Sequence, residues 1–291
     1  MFVKKGIILA GGTGSRLYPL NIAANKQLLP LYDKPVIYYP LSTLMLAGIR
    51  DILIISSEAD LPRMHNLLGT GEQFGIHCSY QIQKSPRGLP EAFILAEEFL
   101  AGEAAMLILG DNFFYGNQLL SLLHASAENL DGAHLFLHPV DNPVAYGVLK
   151  LDKQNNIECI VEKPKNFVSN LAITGLYMFD KYAPQYAKQL KPSARGELEI
   201  TDLINVYLQQ NRVSYSKLGR GYVWHDVGTP SALLQVGFFV ETIESRQGLL
   251  ISSPEEIAYR LGYITLDQLT SSLNQIPSCL YKTYLQRILN D

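Results

Sequence analysis

From the N-terminus to about residue 140, the apolar positions of the chain follow two alternating rhythms. Apolar runs from Ile7 to Ala10, Ile52 to Ser56 and Ala105 to Leu109 predict strands buried on both faces, and Cys78 to Gln83, where apolar and polar residues alternate, predicts another strand. Between them lie stretches of helical period: Ile37, Leu41, Leu44 and Met45, then 61 to 68, then 90 to 100. Strand and helix in alternation predict an α/β fold, a mostly parallel sheet covered by helices on both faces. Residues 133 to 180 change the rhythm. Closely spaced strands at Ala133 to Pro139, Gly147 to Leu151, Ile157 to Val161 and Leu171 to Phe179 predict a mixed-sheet region with little helix. Helices are expected near Pro184 to Leu190 and Glu199 to Gln209, with a strand-rich stretch over Val213 to Asp226. From Pro230 onward the period is helical, and the last fifty or so residues read as an attached helical subdomain.

In such a sheet, ligands gather at the carboxyl ends of the strands. Three segments fall there: the loop after Ala10, Gln83 to Gly88, and Gly110-Asp111-Asn112. The first loop has glycine at 11, 12 and 14, followed by Arg16 and Lys26, so backbone N–H groups can approach a polyphosphate without a Cβ in the way. Its spacing matches neither the Walker A loop nor the dinucleotide fingerprint. Taken alone, it is equally a glycine turn between strand and helix with two surface cations.

Asp111 and Asp226 each follow an apolar strand that would deliver a carboxylate to the rim of the sheet. Paired carboxylates with open positions suit Mg²⁺ when phosphate oxygens complete its octahedron, whereas each alone reads as an Asx turn beside glycine. Lys163 closes a strand as a point charge for a second phosphate, or as a solvated strand end. In Lys191-Pro-Ser-Ala-Arg-Gly-Glu-Leu-Glu199, Ser193 is a candidate helix cap and Arg195 is free to face a ligand. His65, His77, His124, His134 and His138 show no paired spacing, and His225 beside Asp226 is a weak candidate.

Composition narrows the class. With 47% hydrophobic and 18% charged residues in 291, the surface is rather apolar, which points to oligomerisation. A net charge of −3 leaves no global basic field for nucleic acid, so phosphate binding must be local. Three scattered cysteines, Cys78, Cys159 and Cys279, fit a reducing cytoplasm better than a disulfide framework or a zinc site. Lys4-Lys5 before a short apolar run imitates a signal peptide, but the run is too short and ends at a double glycine, so it reads as a buried first strand. No segment approaches the roughly 18 apolar residues of a membrane span.

Read together, Leu9-Ala-Gly-Gly-Thr-Gly-Ser-Arg-Leu17, Lys26-Gln-Leu-Leu-Pro30, Asp33-Lys-Pro35, Leu109-Gly-Asp-Asn112, Glu162-Lys-Pro164, Thr174-Gly-Leu-Tyr177, Arg195-Gly-Glu-Leu-Glu-Ile-Thr-Asp202 and Ser253-Pro-Glu-Glu-Ile-Ala-Tyr-Arg260 resemble the motifs of the sugar-nucleotide pyrophosphorylases. The resemblance is nearest to members that join dTTP to glucose 1-phosphate, releasing pyrophosphate, at the start of dTDP-rhamnose synthesis. It implies a Rossmann-like sheet and a nucleotidyltransferase core over 1–240. The nucleotide half would cover about 1–132, the sugar-phosphate half about 133–240, and a helical segment 241–291.

It also implies roles. Arg16 and Lys26 would be catalytic. Leu9, Gly11, Gly12, Gly14, Gln27, Gln83, Gly88 and Asp111 would bind the nucleotide, with Gln83 and Gly88 reading the pyrimidine. Tyr146, Gly147, Glu162, Lys163, Thr174 and Arg195 would line the sugar-phosphate pocket, and Asp111 and Asp226 would hold Mg²⁺. Family members are homotetramers with a regulatory dTDP-sugar site near the interface. The sequence departs from the family pattern at Thr13 and Ser15, whose hydroxyl residues are exchanged, and at Arg87, where Asp is usual. Pro90-Glu91 replaces Ala-Gln, His225 and Val227 flank the second aspartate, and Leu120 stands where feedback-controlled members often carry His.

Overall fold

The computed structural model describes residues 3–289. In chain order the strands are β1 (Lys5–Leu9), β2 (Pro30–Leu31), β3 (Lys34–Pro35), β4 (Asp51–Ser56), β5 (His77–Ile82), β6 (Ala105–Leu109), β7 (Asn112–Gly116) and β8 (Ala133–Pro139). They continue with β9 (Gly147–Leu151), β10 (Ile157–Glu162), β11 (Leu171–Phe179), β12 (Val213–Lys217) and β13 (Tyr222–Asp226).

One mixed sheet runs in the order β10-β9-β11-β6-β1-β4-β5, with β8 pairing β11 and β12 pairing β8. The side built from β6, β1, β4 and β5 is parallel, β1 lying between β4 and β6 in register, and β4 lies parallel to β5. Its other side is antiparallel around β11. The central strands are apolar throughout because both faces are covered. Ile8, Ile52, Ile54, Met106 and Ile108 pack on one side with the helix Tyr38–Leu46. Ile7, Leu53, Ile55 and Leu107 pack on the other with Phe93, Leu203 and Tyr207.

Several elements differ from the reading of the sequence. The helix expected over 90 to 100 is two pieces, Glu91–Leu95 and Glu97–Leu100, broken at the tighter Ala96 (φ −86°, ψ −3°). Ser193 does not cap the next helix, which runs Ile200–Leu208 with Glu199 as the preceding residue; its hydroxyl donates to Glu199 Oε1 at 2.6 Å instead. The strand β7 and the helix Leu119–Glu128 were not anticipated. Asn-Phe-Phe-Tyr follows β6 after only Gly110-Asp111, and so reads as loop continuing an earlier strand. It forms a separate antiparallel ladder with β13.

Beyond the helix Pro230–Gln247, capped by Thr229 on the Ala232 amide at 3.2 Å, three further helices follow at Pro254–Arg260, Leu266–Gln275 and Leu280–Ile288. Ala258, Ile264 and Leu269 bury into the same layer as Ile8 and Met106. The Tyr263 hydroxyl donates to the Met45 carbonyl at 2.8 Å. Burial of that face ties this segment to the sheet's own helix layer.

Candidate active site

The chain leaves β1 at Leu9 and enters the glycine loop. Gly14 adopts a left-handed conformation (φ 61°) that starts a short 3₁₀ turn, Ser15–Leu17. Gly11 is glycine for a contact reason: a Cβ there would lie 2.0 Å from Gln83 Oε1. The loop and the end of β5 are therefore pressed together. Asn25 heads a second 3₁₀ turn, Lys26–Leu28, its side chain accepting from the Gln27 amide at 3.0 Å. That turn aims Lys26 at the carboxyl end of β6, where Lys26 Nζ bonds Asp111 Oδ2.

Asp111 and Asp226 are 115 positions apart in the sequence, and the β7–β13 ladder brings them to one rim. Asp226 is opposite Asn112 in register, and the Val227 amide donates to the Asp111 carbonyl at 2.8 Å. Asp226 thus ends a strand rather than sitting in a loop. Buried Asn112 locks this corner. Its Oδ1 accepts from the Gly175 amide at 3.1 Å and Trp224 Nε1 at 2.6 Å, and its Nδ2 donates to Asp111 Oδ1 at 3.1 Å. Sequence reasoning assigned Asn112 no role; the available signal was a buried amide beginning an otherwise aromatic strand. Arg16 Nη2 lies 3.5 Å from Asp226 Oδ2, and the Tyr146 hydroxyl donates to Asp226 Oδ1 at 3.3 Å.

The Asp226 carboxyl is raised above its usual range by burial and then by the negative charge of Asp111, against the opposing pull of Arg16. Asp226 in turn helps burial push the Tyr146 phenol up to about 12. Two carboxylates thus come together on one rim, each beside one cation, an arrangement of oxygen ligands that fits a divalent cation. Among the described residues no group of three or more His, Cys, Asp or Glu side chains converges. A cation held here would therefore take most of its oxygens from phosphates and water, the habit of Mg²⁺.

A cavity of about 290 Å³ opens between the two halves of the sheet. Leu9, Gly12, Lys26, Gln27, Gln83, Gly88 and Asp111 line one wall, and Glu162, Lys163 and Arg195 the other. Gln27 is 1% exposed and its Oε1 is buried with no hydrogen-bond partner. A buried acceptor left unpaired is costly, and Gln27 is among the residues that line this cavity. A smaller cavity of about 150 Å³ adjoins it, sharing Glu162 and Lys163 and adding Tyr146, Gly147 and Asp226. Burial and then the Glu199 charge raise the Glu162 carboxyl, opposed by Lys163 and Arg195.

Gly11, Gly14, Arg16 and Thr174 line neither cavity. Thr174 is fully buried within β11, its hydroxyl unpartnered, while its neighbours Ile173 and Gly175 form the wall. Arg195, expected free to face a ligand, is instead held by Glu199 at 3.0 and 2.6 Å and by Glu162 at 3.5 Å. His225 is exposed and makes no part of either wall.

Gly88 joins the halves. It forms a parallel bridge to Leu198, and the Leu198 amide donates to the Arg87 carbonyl at 2.7 Å. At φ +112° it occupies a region that side chains avoid, and a Cβ would meet the Leu198 carbonyl oxygen at 2.0 Å. Gly88→Ala is expected to destabilise the protein by about 2–4 kcal/mol, backbone strain and overpacking adding. Urea denaturation measures this, and an unchanged midpoint would contradict the bridge.

The chain belongs to the nucleotidyl transferase family, whose model matches residues 5–243. It is 48% identical over 98% of its length, and 99% of theirs, to glucose-1-phosphate thymidylyltransferase of Neisseria meningitidis serogroup A. It is 49% identical to the glucose-1-phosphate thymidylyltransferase of Xanthomonas campestris pv. campestris strain B100, covering 92% of this chain and 91% of that one. A crystal structure of a putative glucose-1-phosphate thymidylyltransferase from Bacillus anthracis in complex with a sucrose superposes with a TM-score of 0.75 at 38% identity. It covers 81% of this chain and 95% of that one. The resemblance read from the ordered motifs, and the α/β sheet it implied, are both borne out. No helix among the described residues is long and apolar enough to cross a membrane.

Proposed function

We propose that this chain is a glucose-1-phosphate thymidylyltransferase, joining dTTP to α-D-glucose 1-phosphate with release of pyrophosphate. One observation carries the reading: Lys26 on Asp111 and Arg16 on Asp226 are two cation–carboxylate pairs on one rim, with Lys26 and Asp111 lining the first cavity and Asp226 the second. Two separate cavities sharing the Glu162-Lys163 wall suit two anionic substrates that must meet end to end.

The sugar phosphate has a second pKa near ~6, so at neutral pH its oxygen is already an anionic nucleophile and needs no general base. What the protein supplies is alignment of two mutually repelling anions and neutralisation of developing charge. The nucleophilic oxygen bonds the α-phosphorus of dTTP as the bond from that phosphorus to the bridging oxygen breaks, and pyrophosphate departs. Lys26 and Arg16 stabilise charge on the α-phosphoryl group and the leaving pyrophosphate. Lys163 anchors the sugar phosphate, and Gln83 and Gly88 hold the base. Gln27 contributes to the same wall of the nucleotide cavity. Asp111 and Asp226 would hold Mg²⁺, which when bound supplies additional positive charge to the phosphate oxygens.

A homotetramer in the cytoplasm completes the reading. Its support is an exposed apolar groove of about 500 Å³ beside the helix Pro230–Gln247, with Leu234 and Phe238 on its wall. A cavity of about 390 Å³ that includes Tyr115, Leu120 and Arg260 is a candidate seat for a regulatory dTDP-sugar. Leu120 there offers no hydrogen bond.

The deciding assay is pyrophosphate release from glucose 1-phosphate with dTTP, UTP, CTP, ATP and GTP in parallel, with Mg²⁺. The expected result is fastest release with dTTP. UTP is the nearest competitor because one methyl group is worth only about 1 kcal/mol or slightly more. No release with dTTP would overturn the assignment.

A further inference from the structure

We propose that Glu91 is a positioning residue that sets which base edge the nucleotide cavity accepts, by fixing the side-chain amide of Gln83. The proposal rests on the nucleotide reading of that cavity given above. Glu91 is 4% exposed and begins the helix Glu91–Leu95. Its Oε2 accepts from Gln83 Nε2 at 2.8 Å and from the Arg87 amide at 3.0 Å, and its Oε1 accepts from Arg87 Nε at 2.7 Å.

An ionised carboxylate only accepts hydrogen bonds. The end of the Gln83 amide that faces Glu91 must therefore be its NH₂, because the reverse orientation would set two acceptors against each other in a buried place. The Gln83 oxygen then turns the other way, against Gly11, at the wall of the cavity. A free glutamine offers a donor or an acceptor with equal ease; this one offers an acceptor. A base that binds there must bring an N–H. Thymine and uracil carry one at N3, whereas N3 of cytosine is itself an acceptor and its N–H group lies one position away on the exocyclic 4-amino group, so cytosine must shift in the cavity to offer it. Arg87 holds the carboxylate from its backbone and its guanidinium together, so the selector is the whole Gln83–Glu91–Arg87 cluster.

Calorimetric titration of the full chain with dTTP and with dCTP, in the presence of Mg²⁺ and without sugar phosphate, tests this. Wild-type protein is expected to bind dTTP about tenfold more tightly than dCTP, or better, because a buried acceptor facing an acceptor leaves both unpaired. In Glu91→Met the Gln83 amide is released to turn, and the dTTP/dCTP ratio should fall by about tenfold. Glu91→Ala carries the same expectation if the Met variant fails to fold. Glu91→Gln should retain the ratio: the Arg87 amide still demands an acceptor at the Oε2 position, so the glutamine oxygen goes there and receives the Gln83 amide as before, while its NH₂ takes the Oε1 position and the Arg87 guanidinium, 62% exposed, turns to solvent for its lost acceptor.

Three results would overturn the proposal. They are a wild-type protein that does not separate the two nucleotides, a Met or Ala variant with the wild-type ratio, and variants that weaken both nucleotides equally, as a purely structural role would. The enzymatic reading fails differently: selective dTTP binding without pyrophosphate release would remove the reaction and leave the Glu91 selector standing.

Discussion

Replacing Lys26 by Ala lowers turnover by about 10²-fold or more, the scale expected when one preorganised charge donor is removed from a phosphoryl-transfer site. Lys26 is held by its 3₁₀ turn and by Asp111, with its side chain only 14% exposed, so its ammonium is in place before substrate arrives. That placement is what makes the effect large, since no reorganisation is needed as charge moves onto the leaving pyrophosphate. Because the interaction strengthens in the transition state, the loss should fall mainly on kcat rather than KM. Steady-state pyrophosphate release at saturating dTTP and glucose 1-phosphate measures it, alongside a thermal melt showing that the variant is folded. A Lys26→Ala enzyme within a few-fold of the wild-type rate would falsify the assignment.

Asp226→Asn produces the second large effect, and it has two signs. Turnover should again drop by about 10²-fold or more, because the position loses half of the carboxylate pair that would hold the cation. The metal-free protein should nevertheless become more stable at neutral pH. The Asp226 carboxyl is raised in the folded state by burial and by Asp111, so the folded protein holds that proton more tightly than the unfolded chain. Stability from this group is therefore present below the ordinary carboxylate value of 3.8 and is lost as pH rises through the raised one. Asparagine removes the charge and with it that loss. Thermal melts in EDTA at pH 7 and at pH 3.5 should show Asp226→Asn ahead at the higher pH and level at the lower. If the variant melts below wild type at pH 7, the net repulsion between the two aspartates is not what governs this corner.

Much of the site was readable along the chain because its parts lie where apolar runs stop. Leu9, Lys26, Gln83, Gly88, Asp111, Glu162 and Lys163 all line one cavity, and all but Lys26 and Gly88 lie at or within two residues of a strand end that periodicity could locate. The less readable parts depended on side-chain contacts, some near and some far in sequence, that no period marks. Arg195 looked free because its i,i+4 partner Glu199 read as a helix-start acid and its second partner, Glu162, comes beside it only once β10 lies next to the segment that carries it. Glu91 looked like an ordinary acid at the start of a helix, and only its contacts to Gln83 and Arg87 give it another task. Thr174 belonged to a recognisable motif, yet the irregular pairing of β11 with β8 between Ile173 and Tyr177 turns Gly175 toward Asn112 and leaves the threonine hydroxyl inside.

The order of residues by itself determined the alternation of strand and helix, the family, and the places where the chain breaks into loops. These are local properties, set by the period of apolar residues and by glycines that permit tight turns. The tertiary structure decided the meeting of Asp111 with Asp226, through the register that places Asn112 opposite Asp226. It also decided the closure of the cavity, through the Gly88 bridge to Leu198. Both depend on hydrogen bonds between segments more than a hundred residues apart, and such pairings follow from how whole layers pack rather than from any pattern within one stretch of chain.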